Sequence, residues 1–235
     1  MERIEIPINN EKIIGALFYP DKQKQHKVVV FLNGQGGVKE RFYLMAEALV
    51  NLGYASFAFD FRGRGESASK IVPPLSYQIE DAKKVLDYVV SLPFVNPNDI
   101  TLIATSMGGY VAASVASDHP GIKKIFLFEP TLLLVKEEDK PYLEITADDV
   151  ELALKGDVNK MRPIQEIRKF KGELYLILHE KSSYRELMES IIPIFYKNAV
   201  KAKKKKKCTL KGARHALFKT HEGRLKATEF VEKLL

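Results

Sequence analysis

Residues 100–109 read Ile-Thr-Leu-Ile-Ala-Thr-Ser-Met-Gly-Gly. The β-branched apolar run from Ile100 to Ile103 has the length and composition of a fully buried strand. A tight turn follows with Ser106 at its tip, and Tyr110, Val111, Ala113, Ser114 and Val115 continue as a helix of small residues. A strand, a sharp turn carrying one serine, then a helix is the setting of a nucleophile elbow. Such a turn is strained and needs small residues two places either side of the serine, here Ala104 and Gly108. Ala104 stands where glycine is usual and keeps the steric logic. The same five residues also describe a Ser-Gly turn opening any helix, so the surroundings decide between the two.

Upstream, residues 27–32 (Lys-Val-Val-Val-Phe-Leu) read as a buried strand ending in Asn33-Gly34-Gln35-Gly36-Gly37. A helix with Phe42, Met45, Ala46, Leu49 and Val50 on one face stops at Gly53. Residues 54–59 form the next buried strand, ending in Asp60-Phe61-Arg62-Gly63-Arg64-Gly65-Glu66-Ser67. Residues 3–8 and 12–19 alternate around Asn9-Asn10 and predict an antiparallel hairpin at a sheet edge. Pro73-Pro74 precede an amphipathic helix through Ile79, Ala82, Leu86 and Val89, and Pro93 and Pro97 mark a loop into the central strand. Downstream, residues 122–128 and 173–178 read as buried strands, 184–192 as a helix face, 208–210 as a short strand and 225–234 as a closing helix. Residues 131–171, with Pro141, Pro163 and one helical pattern near 148–154, read as an insertion or small lid. Strands alternating with helices predict an α/β fold, a mostly parallel sheet covered on both faces.

The 235 residues suffice for a single domain spanning 1–235 with a sizeable core. No stretch is long and apolar enough to span a membrane, so no integral membrane contact is expected. The first residues, Met-Glu-Arg-Ile-Glu, do not read as a signal peptide. The lone cysteine, Cys208, excludes an intrachain disulfide, and a cytoplasmic location is the expectation. The net charge of +7 is local: residues 197–211 hold eight lysines and no acid, and the rest of the chain carries 29 basic against 30 acidic residues. The Lys201–Lys207 run has no interleaved aromatic residue, so it reads as a solvated helix end and sheet edge, and no nucleic-acid partner is expected. No His/Asp/Cys cluster has metal-ligand spacing, so neither a metal nor an organic cofactor is expected.

Four stations in order give the chain its resemblance to the α/β-hydrolase family over nearly its whole length. Residues 33–37 stand at the family's oxyanion loop, with Asn33 where a histidine is usual. Residues 60–67 match its Asp-x-Arg-Gly-x-Gly-x-Ser turn, where Asp60 and Arg62 are expected to fix loop geometry. Residues 104–108 are its elbow, and residues 212–218 match its Gly-x-x-His loop after the last strand. The resemblance implies a serine hydrolase in which Ser106 attacks an acyl carbon and the backbone N–H groups of Gln35 and Met107 hold the oxyanion. A serine hydroxyl needs an adjacent base. Of the five histidines, His215 sits in a loop at the sheet edge toward which Ser106 points. His179 ends a strand and is expected to line the site.

The third member of the triad departs from the family. The usual aspartate position falls on Ser182 or Ser183. Two carboxylates can substitute, Glu129 at the end of the preceding strand and Glu180; a further alternative leaves His215 without an acid. The implied substrate is a carboxylic ester with a small or medium acyl group, with a thioester, an amide or a peptide bond as alternatives. A relative that only binds a ligand or protein is the rival from another class. Leu132–Leu134, Tyr142 and Leu143 are expected to form an apolar pocket wall. The chain specifies no oligomeric state.

Overall fold

The fully buried apolar runs become neighbouring parallel strands, because only a position between two flanking strands and two helical layers hides them on every side. The structure, a computed structural model, describes residues 1–69 and 71–235. The strands are β1 (Glu2–Ile8), β2 (Glu11–Phe18), β3 (His26–Leu32), β4 (Ala55–Phe59), β5 (Val95–Thr105), β6 (Ile122–Phe128), β7 (Glu173–His179) and β8 (Lys204–Leu210). They form one sheet in the order β1-β2-β4-β3-β5-β6-β7-β8. Among these strands, β1 pairs with β2 and β2 with β4 in antiparallel fashion, and the other neighbours pair in parallel. Asn9 and Asn10 take φ of 44° and 62°, as a two-residue hairpin turn of the right twist requires.

The helices are α1 (Tyr43–Asn51), α2 (Leu75–Ser91), α3 (Met107–Ser114), α4 (Ala147–Lys155), α5 (Arg162–Lys169), α6 (Arg185–Asn198) and α7 (His221–Glu232). Alternation along each strand divides the core. Val28, Val30, Leu102 and Leu127 face α2, α3, α5 and α6, while Val29, Phe31, Ile103 and Phe126 face α1 and α7. Each such buried side chain contributes about 1.5–3 kcal/mol. Among the described residues no helix is long and apolar enough to cross a membrane.

Three elements differ from the sequence-based expectation. The strand β5 begins at Val95, not Ile100, taking in Pro97 where its ladder with β3 shifts register. That first half is largely uncovered, so polar residues and a proline serve there. The strand β8 begins at Lys204, so four lysines lie on it rather than before it. The ammonium groups of three of them have partners: Lys204 reaches the Tyr175 hydroxyl at 2.9 Å, and Lys205 and Lys207 stand over the Tyr196 ring at 4.7 and 5.1 Å. Lysine at an edge also discourages pairing with another sheet. In residues 131–171, α4 matches the helical pattern near 148–154, but α5 was not expected. Its Pro163 sits in the first turn, where the ring costs nothing, and Ile164 and Ile167 pack fully buried in the layer beside α3.

The turn at residues 60–67 fixes the loop after β3. Asp60, fully buried, accepts from the Lys39 N–H at 2.7 Å, from Lys39 Nζ at 2.8 Å and from the Glu66 N–H at 3.0 Å. Gly65 has φ of 47°, and a Cβ there would lie 2.2 Å from the Asp60 carboxylate. Arg62 is buried against Asp81 (Nε to Oδ1, 2.5 Å). Burial works against the Lys39 ammonium, but Asp60, Glu66 and Glu40 outweigh it and raise its pKa. Asp60→Ala takes the buried carboxylate from Lys39, which keeps Glu66 and Glu40, and leaves two backbone N–H groups without their acceptor, and is expected to cost about 3 kcal/mol or more. Urea unfolding measures this, and a loss below about 1 kcal/mol would contradict the network's role.

Candidate active site

Ser106 occupies the junction of β5 and α3 with φ of 51° and ψ of −119°. An L-residue held there costs about 1–3 kcal/mol and persists only where its surroundings over-determine it. They do so here. The Ser106 N–H donates to Phe128 O at 2.9 Å, and Ser106 O accepts from the Gly109 and Thr131 N–H groups at 2.8 and 3.2 Å. A Cβ on Gly108 would sit 2.3 Å from Leu32 O, so α3 meets the end of β3 only through glycine. Ala104 is fully buried between Leu32 and Leu127.

The loop after β8 carries His215, whose Nδ1 lies 2.5 Å from Glu129 Oε2. An ionised carboxylate only accepts, so Nδ1 carries the proton and the neutral ring keeps its lone pair on Nε2. The Tyr184 ring packs edge-on against the imidazole, 4.6 Å between centroids. Glu129 follows β6 with φ of 46° and is buried. Its Oε1 accepts from the His179 N–H at 3.0 Å, and its Oε2 from Ser182 Oγ at 3.0 Å. Burial alone would raise the Glu129 carboxyl above its ordinary 4.5; contacts from His179 and His215 outweigh burial and hold it at about 2.

Of the two carboxylates considered from the sequence, the structure therefore brings Glu129 to His215 and not Glu180. The Glu180 carboxylate accepts from the Gly212 N–H at 2.8 Å, and the Lys181 N–H donates to Ala213 O at 2.8 Å. Both bonds clasp the loop after β7 to the loop that bears His215. His179 does not line the cavity. It is buried behind Glu129, Nδ1 3.2 Å from Oε2 but out of hydrogen-bond alignment, and neither ring nitrogen has a hydrogen-bond partner among the described residues. Ser182, at the position where the family resemblance expects an aspartate, instead hydrogen-bonds the glutamate that faces His215.

Ser106, Met107, Gln35, Glu129 and His215 line one cavity of about 200 Å³. Among the described residues, the backbone N–H groups of Gln35 and Met107 have no hydrogen-bond acceptor. The Gln35 side chain donates to Tyr142 O at 2.6 Å and Ile145 O at 3.1 Å, joining the glycine-rich loop to the segment before α4. The far wall is apolar, from Ile145, Val150, Leu187 and Met188. This corrects the wall expected from the sequence: Leu132, Leu133 and Tyr142 are core residues, Leu134 packs against that core and Leu143 faces solvent. Tyr184, Leu187 and Met188 gave no signal beyond helical spacing.

The chain is similar to known proteins in sequence and in fold. The sequence pattern of the family described as serine aminopeptidase, S33, matches residues 23–155, more than half of the chain; the match includes Ser106 and Glu129 and ends before His215. The quorum-quenching protein AidA of Acinetobacter baumannii is 31% identical over 120 residues, 49% of this chain and 40% of that protein. The chain thus spans about two fifths of the length of the curated relatives it matches. Esterase 2 of Thermogutta terrifontis superposes with a TM-score of 0.75 at 18% identity, covering 100% of this chain and 93% of that one. Est1E of Butyrivibrio proteoclasticus, solved with ferulic acid bound, gives 0.74 at 21% identity, covering 98% and 97%. At these identities the structural likeness speaks to the fold.

Proposed function

The chain belongs to the serine aminopeptidase S33 family of α/β hydrolases, and from that membership we propose that it is a serine hydrolase cleaving carboxylic esters with a small or medium acyl group. The observation that carries this is the Glu129–His215 pair, 2.5 Å apart, on the cavity that Ser106 enters from a strained turn.

In this reading Ser106 Oγ attacks the carbonyl carbon while His215 Nε2 takes its proton. Glu129, ionised and buried, holds the Nδ1–H tautomer and stabilises the imidazolium. The unengaged N–H groups of Gln35 and Met107 receive the oxyanion; one such donor is typically worth about 3 kcal/mol of barrier. His215 returns the proton to the leaving alcohol, and an acyl-enzyme remains on Ser106. Water, deprotonated by His215, then attacks the acyl carbon and frees the acid. A cavity of about 200 Å³ suits a small or medium acyl group. Residues 131–171, expected to form an insertion or small lid, are fastened to the oxyanion loop by the Gln35 side chain at Tyr142 and Ile145.

A fluorophosphonate probe tests the proposal directly. The folded protein is expected to take up one equivalent, located at Ser106 by peptide mass spectrometry. Protein that stays folded and unlabelled, and turns over no p-nitrophenyl ester, would instead be a ligand-binding relative.

A further inference from the structure

The cavity at Ser106 has a second branch of opposite character. It encloses about 220 Å³ between Ser106, His215, Gly34, Arg41, Phe218 and Lys219. Arg41 is half-buried, and its Nη2 donates to Gly36 O at 3.1 Å, so its guanidinium is pinned to the oxyanion loop. On one side stands Arg64, whose Nη2 is 3.1 Å from where a Gly36 Cβ would be and whose guanidinium lies 5.8 Å from the Tyr142 ring centroid. Arg64 Nε is buried without a hydrogen-bond partner among the described residues. On the other side stands Arg224, its Nη1 on Phe218 O at 3.4 Å.

What is missing from this group is an acid. Elsewhere the buried cations Lys39 and Arg62 are paired, with Asp60 and with Asp81 and Glu80, and the partly exposed Arg162 is paired with Glu138. Among the described residues, no carboxylate forms an ion pair with Arg41, Arg64, Lys219 or Arg224. Holding Arg64 and Arg224 beside the half-buried Arg41 with no acid to offset them is unfavourable. An anion entering the branch would offset the repulsion, and a planar guanidinium matches a carboxylate or phosphate in two parallel hydrogen bonds.

We propose that the Arg41 branch receives an anionic group of the substrate, a carboxylate or a phosphate, while the uncharged part of the ester lies against Ile145, Val150, Leu187 and Met188. The substrate class is then an ester that carries a negative charge near the scissile bond, a conclusion that rests on the serine-hydrolase reading. Burial and the neighbouring Arg64 and Arg224 all hold the Arg41 pKa below the usual arginine range, as a cation lacking its counter-ion should be held.

Matched esters test this. p-Nitrophenyl hemiglutarate against p-nitrophenyl pentanoate places the charge on the acyl side. 4-Acetoxybenzoate and 4-acetoxyphenyl phosphate, each against methyl 4-acetoxybenzoate, place it on the alcohol side and separate carboxylate from phosphate. In one series the charged member is expected to have a kcat/KM roughly 10- to 100-fold above its neutral counterpart, chiefly through KM and declining with salt. Arg41→Gln should bring that ratio near one, whereas Lys206→Gln on the distant edge strand should preserve it. Ratios near one in every series, or a ratio that survives Arg41→Gln, would overturn the proposal.

A binding readout keeps the test independent of turnover. Benzoate or phenyl phosphate should raise the melting temperature of the wild type and of Ser106→Ala, but not of Arg41→Gln, and benzyl alcohol should raise none of them. If Ser106 takes up the fluorophosphonate and no charged ligand is preferred, the hydrolase reading stands and the anion site falls. If Ser106 is inert and benzoate or phenyl phosphate still binds through Arg41, the anion site stands and the hydrolase reading falls.

Discussion

Ser106→Ala is expected to lower kcat/KM for an activated ester by roughly 10⁵- to 10⁶-fold and to leave the fold intact. The size follows from the loss of covalent catalysis, because the other hydroxyl-bearing residues that line the cavity, Thr131, Thr146 and Tyr184, do not stand at the tip of the elbow. What survives is oxyanion stabilisation and binding, typically about 10³- to 10⁴-fold over water. Retention of more than about one per cent of wild-type turnover, once contaminating esterase is excluded by probe titration, would remove Ser106 from its assigned role. The same site offers a control in stability. Ser106 holds φ of 51° and ψ of −119°, a conformation glycine adopts without penalty. Ser106→Gly should therefore be about 1 kcal/mol more stable than wild type and equally inactive. Strain relieved together with activity lost marks a turn kept for chemistry and not for folding.

The second large effect is at Glu129. Glu129→Gln should lower kcat about 10³- to 10⁴-fold with KM changed little. An amide at this position neither enforces the Nδ1–H tautomer nor balances the imidazolium charge. Glu180→Gln removes only an acceptor for the Gly212 N–H and should change kcat less than about threefold. The reverse ranking would transfer the acid to Glu180.

The pH behaviour follows in sign. The Glu129 carboxyl is held at about 2 against an ordinary 4.5, so its folded-state pKa is depressed. Its contribution to stability is full above pH 4.5 and is lost as pH falls toward 2. The stability difference between wild type and Glu129→Gln should narrow across that window. Protonation of Glu129 therefore does not set any loss of activity that occurs above it.

The parts of the fold that show in the sequence are those whose burial is complete. The strands β3, β6 and β7 lie between neighbours on all sides, so composition alone marks them, and β6 spans the residues expected of it. The strand β8 is half solvent-facing and lysine-rich, and its pairing to β7 rests on backbone groups that carry no residue code. The helix α5 escaped because Pro163 breaks a helix interior yet opens one equally well. At the site, Ser106 and His215 stand in turn motifs whose spacing is diagnostic. The choice between Glu129 and Glu180 was not legible, because it depends on a positive φ at Glu129 and on the course of the loop after β7, both set by tertiary contacts. The Arg41 cluster is invisible for a related reason: no linear pattern tells which cations will be left without an acid.

The groups proposed to share one reaction stand on ground of very different firmness. The serine hangs from β5, which has ladder partners on both sides near the middle of the sheet. The histidine hangs from β8, an outermost strand with one neighbour and a row of ammonium groups that repel each other. Peeling that margin away would part the base from its carboxylate while the centre of the sheet held its shape. Warmth, mild denaturant or low salt would therefore silence the protein well before it melts.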